Sequence, residues 1–168
     1  RVYEQIAGCR DELYMDFVGP VDKDTESRAC STRLQNKIED AGMAGRVRLV
    51  GYQDNVEKWL QSSDIFLFTT AREGFGSVFI EAMAAGLPTV CKAIPGITDY
   101  IYQNGVTGFV AQSYDEAVKG LKVLVDRPEK RRRMGLAARR DAIQRFSREV
   151  VWRQYSRVYD GALQERLE

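Results

Sequence analysis

The chain has 168 residues, a length that suits one domain, and its 44% hydrophobic and 29% charged residues are ordinary for a soluble globular protein. The net charge of +1 gives no case for nucleic-acid binding, and the lack of histidine excludes a Ser-His-Asp triad. The three scattered cysteines exclude a cysteine metal motif and a disulfide framework, which indicates a reducing compartment, and no apolar run approaches the ~20 residues of a membrane span.

The first part of the chain alternates between strand and helix patterns. In order, we expect the end of a helix over 1–9, a strand over 13–18, a polar loop over 21–26, a helix over 27–41 and a strand over 46–50. Asp54 and Glu57 have the spacing of a capping box for a further helix that carries Val56, Trp59 and Leu60.

The alternation continues to the end of the chain. In order, we expect a buried strand over 65–68, a helix over 77–85, a strand over 89–91, a short helix or turn over 97–102 and a strand over 108–111. Ser77 is the predicted cap of the helix over 77–85. Ser113 with Glu116, Pro128 and Ser147 mark the starts of three further helices.

Strands that alternate with helices predict an α/β fold, a Rossmann-like doubly wound parallel sheet with flanking helices. Ligands of such sheets bind at the carboxyl ends of the strands. The loop at Glu73 is at such an end, and so are the turns at Gly19 and Gly51 and the loop at Pro95 and Gly96.

A glycine-rich junction between a strand and a helix, with a glutamate on each side, is the candidate site. Glu73 precedes Gly74-Phe75-Gly76, and Glu81 is one turn inside the helix. A helix N-terminus attracts an anion such as phosphate, and glycines allow close approach of a ligand to the backbone. Carboxylates accept hydrogen bonds from hydroxyl groups. Phosphate on the amides and hydroxyls on the carboxylates together indicate a sugar nucleotide.

The segment 73–88, with seven residues between its two glutamates and then Ala82-Met83-Ala84-Ala85-Gly86-Leu87-Pro88, resembles the signature of the retaining glycosyltransferases of the two-Rossmann-domain class. The most similar group is family 4, also called group 1. The resemblance continues through Pro95-Gly96-Ile97 and residues 105–110 and covers about 150 of the 168 residues.

The resemblance implies the donor-binding domain of a hexosyltransferase-type enzyme that takes a UDP-, GDP- or ADP-sugar and needs no metal or other cofactor. Glu73 is the predicted catalytic residue, in contact with the donor sugar, and Glu81 is predicted to hold the ribose. The other predicted substrate-binding residues are Gly74, Phe75, Gly76, Ser77, Val78, Gly51 and Tyr52. Thr70 and Arg72 are weaker candidates, and Gly96 with Ile97 is predicted to shape the loop beside the sugar.

The resemblance also implies that residues 1–168 form one nucleotide-sugar-binding domain of a longer enzyme, with C-terminal helices from about 128 to 166. Its first strand, which would lie between the strands at 13–18 and 65–68, and the N-terminal acceptor domain are missing, so the chain alone is expected to be inactive. We expect a cytoplasmic enzyme, either attached to the inner membrane or not, that builds a polysaccharide or glycolipid.

Other interpretations remain beside this one. Asp22-Lys23-Asp24 has the Asp-x-Asp spacing of manganese-dependent glycosyltransferases, but a solvated loop is the simpler interpretation. The basic cluster at Arg127 and 130–133 is either a solvated helix face or a contact with acidic membrane lipids.

The function class that competes with the transferase is a binding or assembly module that keeps the fold without transfer. Glu73 and Glu81 flank a helix start rather than a cleft, which argues against a hydrolase pair. Phe79 and Cys91 argue against a dinucleotide fingerprint.

Overall fold

Strands and helices alternate along the computed structural model, which describes residues 1–8, 10, 12–21, 24–70 and 73–164. In these residues the strands are β1 (Met15–Val18), β2 (Val47–Gly51), β3 (Phe66–Phe68), β4 (Thr89–Lys92) and β5 (Gly108–Ala111). The helices are α1 (Val2–Ala7), α2 (Thr25–Asp40), α3 (Val56–Gln61), α4 (Ser77–Ala84), α5 (Thr98–Ile101), α6 (Tyr114–Asp126), α7 (Pro128–Phe146) and α8 (Arg148–Gln164).

All the strand pairs are parallel, as predicted, but the described strands form two ladders rather than one sheet. β1 pairs with β2, and β3, β4 and β5 form a second ladder in that order. A parallel sheet with a strand missing between the strands at 13–18 and 65–68 was predicted, and the two separate ladders agree with that prediction. The physical reason is that no described segment supplies backbone partners between β1 and β3, where the missing strand was expected.

The larger sheet is covered on both faces because its side chains alternate with a period of two. The side chains of Phe66, Phe68, Cys91 and Val110 pack toward α4 and α7. Those of Leu67, Val90, Phe109 and Ala111 pack toward α1 and α6. Burial on both faces explains why these strands are continuous apolar runs rather than alternating ones. Burial also raises the pKa of the Cys91 thiol to about 12, so this cysteine stays protonated at neutral pH.

Helix α1 joins the two ladders through side chains. Val2 and Ile6 are buried in the same cluster as Val90 of β4 and residues of α6, with Leu13 and Leu67 at its margin. An ion pair between Arg10 and Asp126 lies beside this cluster. Apolar packing therefore holds the two ladders together where backbone hydrogen bonds do not.

Helix caps agree with the sequence at some positions and differ at others. The Ser113 hydroxyl accepts the N–H of Glu116 at 3.2 Å, and Pro128 begins α7, as predicted. The N-cap of α3 is Asn55, whose side chain accepts the N–H of Lys58 at 3.2 Å, so the capping box at Asp54 is wrong. Asn55 is one residue closer to the first helical turn, where its side chain can reach an unpaired N–H.

Helix α4 is fixed on the sheet by Phe79. Its ring lies edge-on to Phe68, with centroids 5.1 Å apart, and to Tyr102 at 5.8 Å. The buried Tyr102 hydroxyl donates to Thr89 Oγ1 at 2.9 Å. The N–H of Leu87 donates to the Ala82 carbonyl at 2.9 Å, which ends α4 in a Schellman motif at Gly86. The first turn of α4 is therefore held rigidly at the carboxyl end of β3.

Candidate functional site

The loop between β3 and α4 is closed by the carboxylate of Glu73. Glu73 is half-buried, and its Oε1 accepts the N–H of Gly74 at 2.9 Å and the N–H of Gly76 at 3.3 Å. No described residue donates a hydrogen bond to its other oxygen, Oε2. One oxygen of the predicted catalytic glutamate thus shapes the loop, and the other is available to a ligand.

Gly76, not Ser77, is the N-cap of α4. Its φ of +84° lies in the left-handed region, and a Cβ at this position would lie 2.7 Å from the Phe79 ring and 3.0 Å from Ile97. Ser77 is the first helical residue, so its side chain does not cap the helix and the prediction of a serine cap is wrong. Glycine takes the cap position because the left-handed backbone and the close Phe79 ring leave no room for a side chain.

The start of α4 has the properties of an anion site. No side chain caps the helix, and its first turn contains no acidic residue. Within the described ranges, no acceptor lies within hydrogen-bonding distance of the N–H groups of Ser77 and Val78. These N–H groups and the positive end of the helix dipole can therefore receive a phosphate oxygen.

The loop after β4 lies against this helix start. Ile97 would contact a Cβ on Gly76, so the two loops that the sequence singled out meet here. The Thr98 hydroxyl accepts the N–H of Ile94 at 2.8 Å, which stiffens the turn that contains Gly96. Phe75 is 73% exposed between the two glycines, where its ring can cover a ligand.

Glu81 is exposed on the second turn of α4 and lines a surface groove of about 410 Å³. The groove lies between α3, α4 and α7, and its lining includes Glu57, Gln61 and Arg139. Gln61 donates to Glu57 at 2.7 Å, whereas Glu81 and Arg139 have no hydrogen bond or ion pair within the described part of the chain. The carboxylate of Glu81 is therefore free to accept hydroxyl hydrogens.

The turn at Gly51 and Tyr52 belongs to the other ladder. Gly51 has a φ of +82°, and its carbonyl accepts the N–H of Gly19 at 3.0 Å. Tyr52 is 70% exposed. No contact in the described residues joins this turn to Glu73, so the structure does not bring these two parts of the predicted site into direct contact. They are connected through α3, whose Leu60 packs with Ala82 of α4.

The weaker site candidates and the Asp-x-Asp segment lie partly outside the described residues. Thr70 is partly buried at the strand end, and Arg72 lies outside the described residues. Asp24 caps α2, accepting the N–H of Ser27 at 2.7 Å, whereas Asp22 and Lys23 lie outside the described residues. The structured part of the chain holds no group of three or more His, Cys, Asp or Glu residues that could bind a metal.

Arg139 and Glu57 are site residues that sequence reasoning missed. Glu57 was assigned only to a helix cap, and Arg139 only to a charged helix. The signal for Arg139 was its position one turn after Gly135, the glycine that lets α7 approach Gly86 at the end of α4. The contact between α4 and α7 is not local in sequence, so the pattern alone could not place this arginine beside Glu81.

A family model described as "Glycosyl transferases group 1" matches residues 2–141. The chain is 34% identical over 131 residues to N-acetyl-alpha-D-glucosaminyl L-malate synthase of Bacillus anthracis, covering 76% of this chain and 34% of that protein. It is 29% identical over 121 residues to the capsular polysaccharide biosynthesis glycosyltransferase CapM of Staphylococcus aureus, covering 71% of this chain and 32% of that protein.

The fold has solved counterparts. The crystal structure of Anabaena HepE in complex with UDP superposes with a TM-score of 0.83 and 23% identity, covering 95% of this chain and 44% of that one. The chain spans about a third of the length of the two curated relatives. Because the family model covers most of the chain, the protein belongs to the group 1 glycosyltransferases.

Proposed function

We propose that this chain is the donor-binding domain of a retaining, metal-independent glycosyltransferase that presents a nucleoside diphosphate sugar to an acceptor. One observation carries the proposal: the uncapped start of α4, with free N–H groups at Ser77 and Val78, lies directly beside the Glu73 loop. The HepE crystal structure is a complex with UDP, which supports the same ligand class here.

Each part of the donor has a matching group. The diphosphate lies at the N–H groups of Ser77 and Val78, which stabilise the charge that develops as it departs. Oε2 of Glu73 accepts a hydroxyl of the sugar. Glu81 accepts the ribose hydroxyls, and Tyr52 lies by the base. Direct hydrogen bonds between carboxylates and hydroxyls give the sugar its orientation without a metal ion.

The proposed transfer needs an acceptor half outside this chain. Two features support an enzyme in which further polypeptide packs on this domain. The two ladders leave a position between β1 and β3 without a backbone partner in the described residues. Helix α8 has no buried residue, although its Tyr155, Val158 and Tyr159 lie close together on its surface. Without a positioned acceptor, ~7–11 kcal/mol of barrier reduction is lost, so the isolated chain transfers nothing.

The finer specificity is also part of the proposal. The transferred group is a hexose, and the acceptor is a polysaccharide or a glycolipid. CapM acts in capsular polysaccharide biosynthesis, which supports a polysaccharide acceptor. The name of the other relative, N-acetyl-alpha-D-glucosaminyl L-malate synthase, indicates L-malate as a small acceptor of that protein. A domain that binds only the donor leaves that choice to the other half of the enzyme.

Calorimetric titration of the chain with UDP, GDP and ADP tests the proposal. We expect one of the three to bind, and Glu81→Ala to weaken that binding by about 1.5–3 kcal/mol, because a hydrogen bond to a charged group is lost. The control is Asp40→Ala, which removes an exposed carboxylate at the end of α2 that does not line this groove. A chain that binds none of the three nucleotides would instead be a binding or assembly module of another kind.

A further inference from the structure

Positive charge is concentrated at the C-terminal end of the chain. Residues 127–164 contain eleven Lys or Arg and four Asp or Glu, a net charge of +7, whereas the whole chain has a net charge of only +1. The rest of the chain is therefore acidic. A charge asymmetry of this size within one small protein indicates an anionic partner for the basic part.

The charge is displayed on one face of α7 together with apolar side chains. Arg132, Leu136, Arg140 and Ile143 recur every three or four residues, so they form one stripe along the helix. Leu136 is 56% exposed and Ile143 is 55% exposed. Arg133 and Arg139 flank the stripe, and Glu129 is its acidic member. We call these residues the α7 stripe.

The arginines of the stripe differ from their neighbours on the same helix. Arg131 donates to the Leu124 carbonyl at 3.0 Å and so caps the end of α6. Arg145 donates to Asp141 at 2.7 Å and to the Tyr100 carbonyl at 2.6 Å. By contrast, none of the stripe arginines has a hydrogen bond or an ion pair in the described residues. The fold does not need their charge.

A basic groove of about 260 Å³ continues the stripe toward the turn after α5. Lys130 and Arg133 line it with Gly105 and Val106. The Lys130 ammonium lies 5.2 Å from the centre of the Phe109 ring, which holds it at the groove wall. Val106, at the tip of the turn, is 53% exposed. The groove places two cations around an exposed apolar side chain.

We propose that the α7 stripe and its groove form a docking surface for an anionic lipid bilayer. Arginines attract acidic headgroups, and Leu136, Ile143 and Val106 insert at the boundary between headgroups and acyl chains. The alternation of arginine with exposed aliphatic residues favours a bilayer over nucleic acid, since the α7 stripe contains no aromatic residue on which a base could stack. No described helix is long and apolar enough to span a membrane, so the contact is peripheral.

Sedimentation of the whole chain with lipid vesicles tests the proposal. We expect binding to equimolar phosphatidylcholine and phosphatidylglycerol, little binding to phosphatidylcholine alone, and release by salt. The double variant Arg132→Glu and Arg140→Glu should bind the anionic vesicles at least about tenfold more weakly, because each basic residue near the surface contributes severalfold. Circular dichroism should show an unchanged fold, since neither arginine has a partner in the described residues.

The matched control reverses two exposed charges on α2, with Arg28→Glu and Arg33→Glu. Helix α2 packs on the ladder of β1 and β2, away from α7, so vesicle binding should fall by less than about twofold. Leu136→Ser with Ile143→Ser tests the apolar part and should make binding more sensitive to salt. Equal losses in the α2 and α7 variants, equal binding to neutral vesicles, or equally strong binding to a single-stranded oligonucleotide would each overturn the proposal.

Discussion

Glu73 holds its loop with one carboxylate oxygen and, in the proposed function, accepts a sugar hydroxyl with the other, and two substitutions separate these two roles. Alanine removes the acceptor that holds the N–H groups of Gly74 and Gly76, whereas glutamine keeps a side-chain oxygen there and loses only the charge. Glu73→Gln should therefore bind a bare nucleoside diphosphate normally and weaken the sugar nucleotide by about 1.5–3 kcal/mol. Glu73→Ala should weaken both, the sugar nucleotide more.

Paired titrations with the nucleoside diphosphate and its glucose derivative measure this difference. An equal loss for both ligands in Glu73→Gln would show that the glutamate does not contact the sugar.

Alanine substitutions at Gly76 and Gly74 test the conformation of the loop. A Cβ on Gly76 would require a left-handed alanine and would press on Phe79 and Ile97, whereas nothing lies within 4 Å of a Cβ on Gly74. Gly76→Ala should lower the free energy of unfolding by about 2–4 kcal/mol, and Gly74→Ala should change it by less than about 1 kcal/mol. Urea denaturation measures both. Equal stability of the two variants would mean that the loop does not adopt this conformation.

Sequence alone identified the residues of the Glu73 loop but not their geometry. The glutamate and glycines were predicted from their spacing before a helix. The sequence does not show that Glu73 Oε1 turns back onto the loop, or that Gly76 rather than Ser77 is the cap. Both features depend on backbone angles that the contact with Phe79 and Ile97 sets. Those contacts come from other elements, so a local pattern does not contain them.

At the scale of elements, α4 is held against α7 through two glycines. A Cβ on Gly135 would overlap the carbonyl oxygen of Gly86 and lie 3.2 Å from Pro88 Cδ. Gly135→Ala should therefore push α7 away from α4 and cost about 2–4 kcal/mol of stability, because a rigid backbone cannot move aside. Nucleotide binding should weaken as well, since α4 carries Glu81.

Gly161→Ala on α8 is the control, because nothing lies within 4 Å of its Cβ position. Alanine there should stabilise the protein by up to about 1 kcal/mol or leave it unchanged. Thermal denaturation of both variants checks the pair, and a fully stable Gly135→Ala would contradict the close helix contact.

The elements and the parallel direction of the strands were largely predictable, and the register of the strand pairs was not. The strand at 108–111 and the helix start at Pro128 have the predicted bounds, because local periodicity and Pro chemistry set them. The gap between the two ladders was expected only from the family resemblance, since strand pairing joins residues far apart in sequence. The pattern at 13–18 by itself gives only the strand, and the resemblance supplies the position of the neighbour that it lacks.

At the scale of the molecule, the proposed donor site extends over both ladders. The Glu73 loop and the start of α4 belong to the larger ladder, and Tyr52 follows β2 of the smaller one. The contact of Leu60 with Ala82 connects them across the groove of Glu81. Because the site is open to water, which screens its charges, the isolated chain should hold a nucleotide only in the high micromolar range or more weakly.

The central claim is that a nucleoside diphosphate binds at the start of α4, and amide chemical-shift mapping by NMR tests it most directly. Addition of the tightest-binding nucleotide of UDP, GDP and ADP should shift the amides of residues 74–78 most, with smaller shifts at Tyr52 and Glu81. The free N–H groups there would gain phosphate acceptors. Shifts confined to the basic groove at Lys130, with residues 74–78 unchanged, would contradict the account.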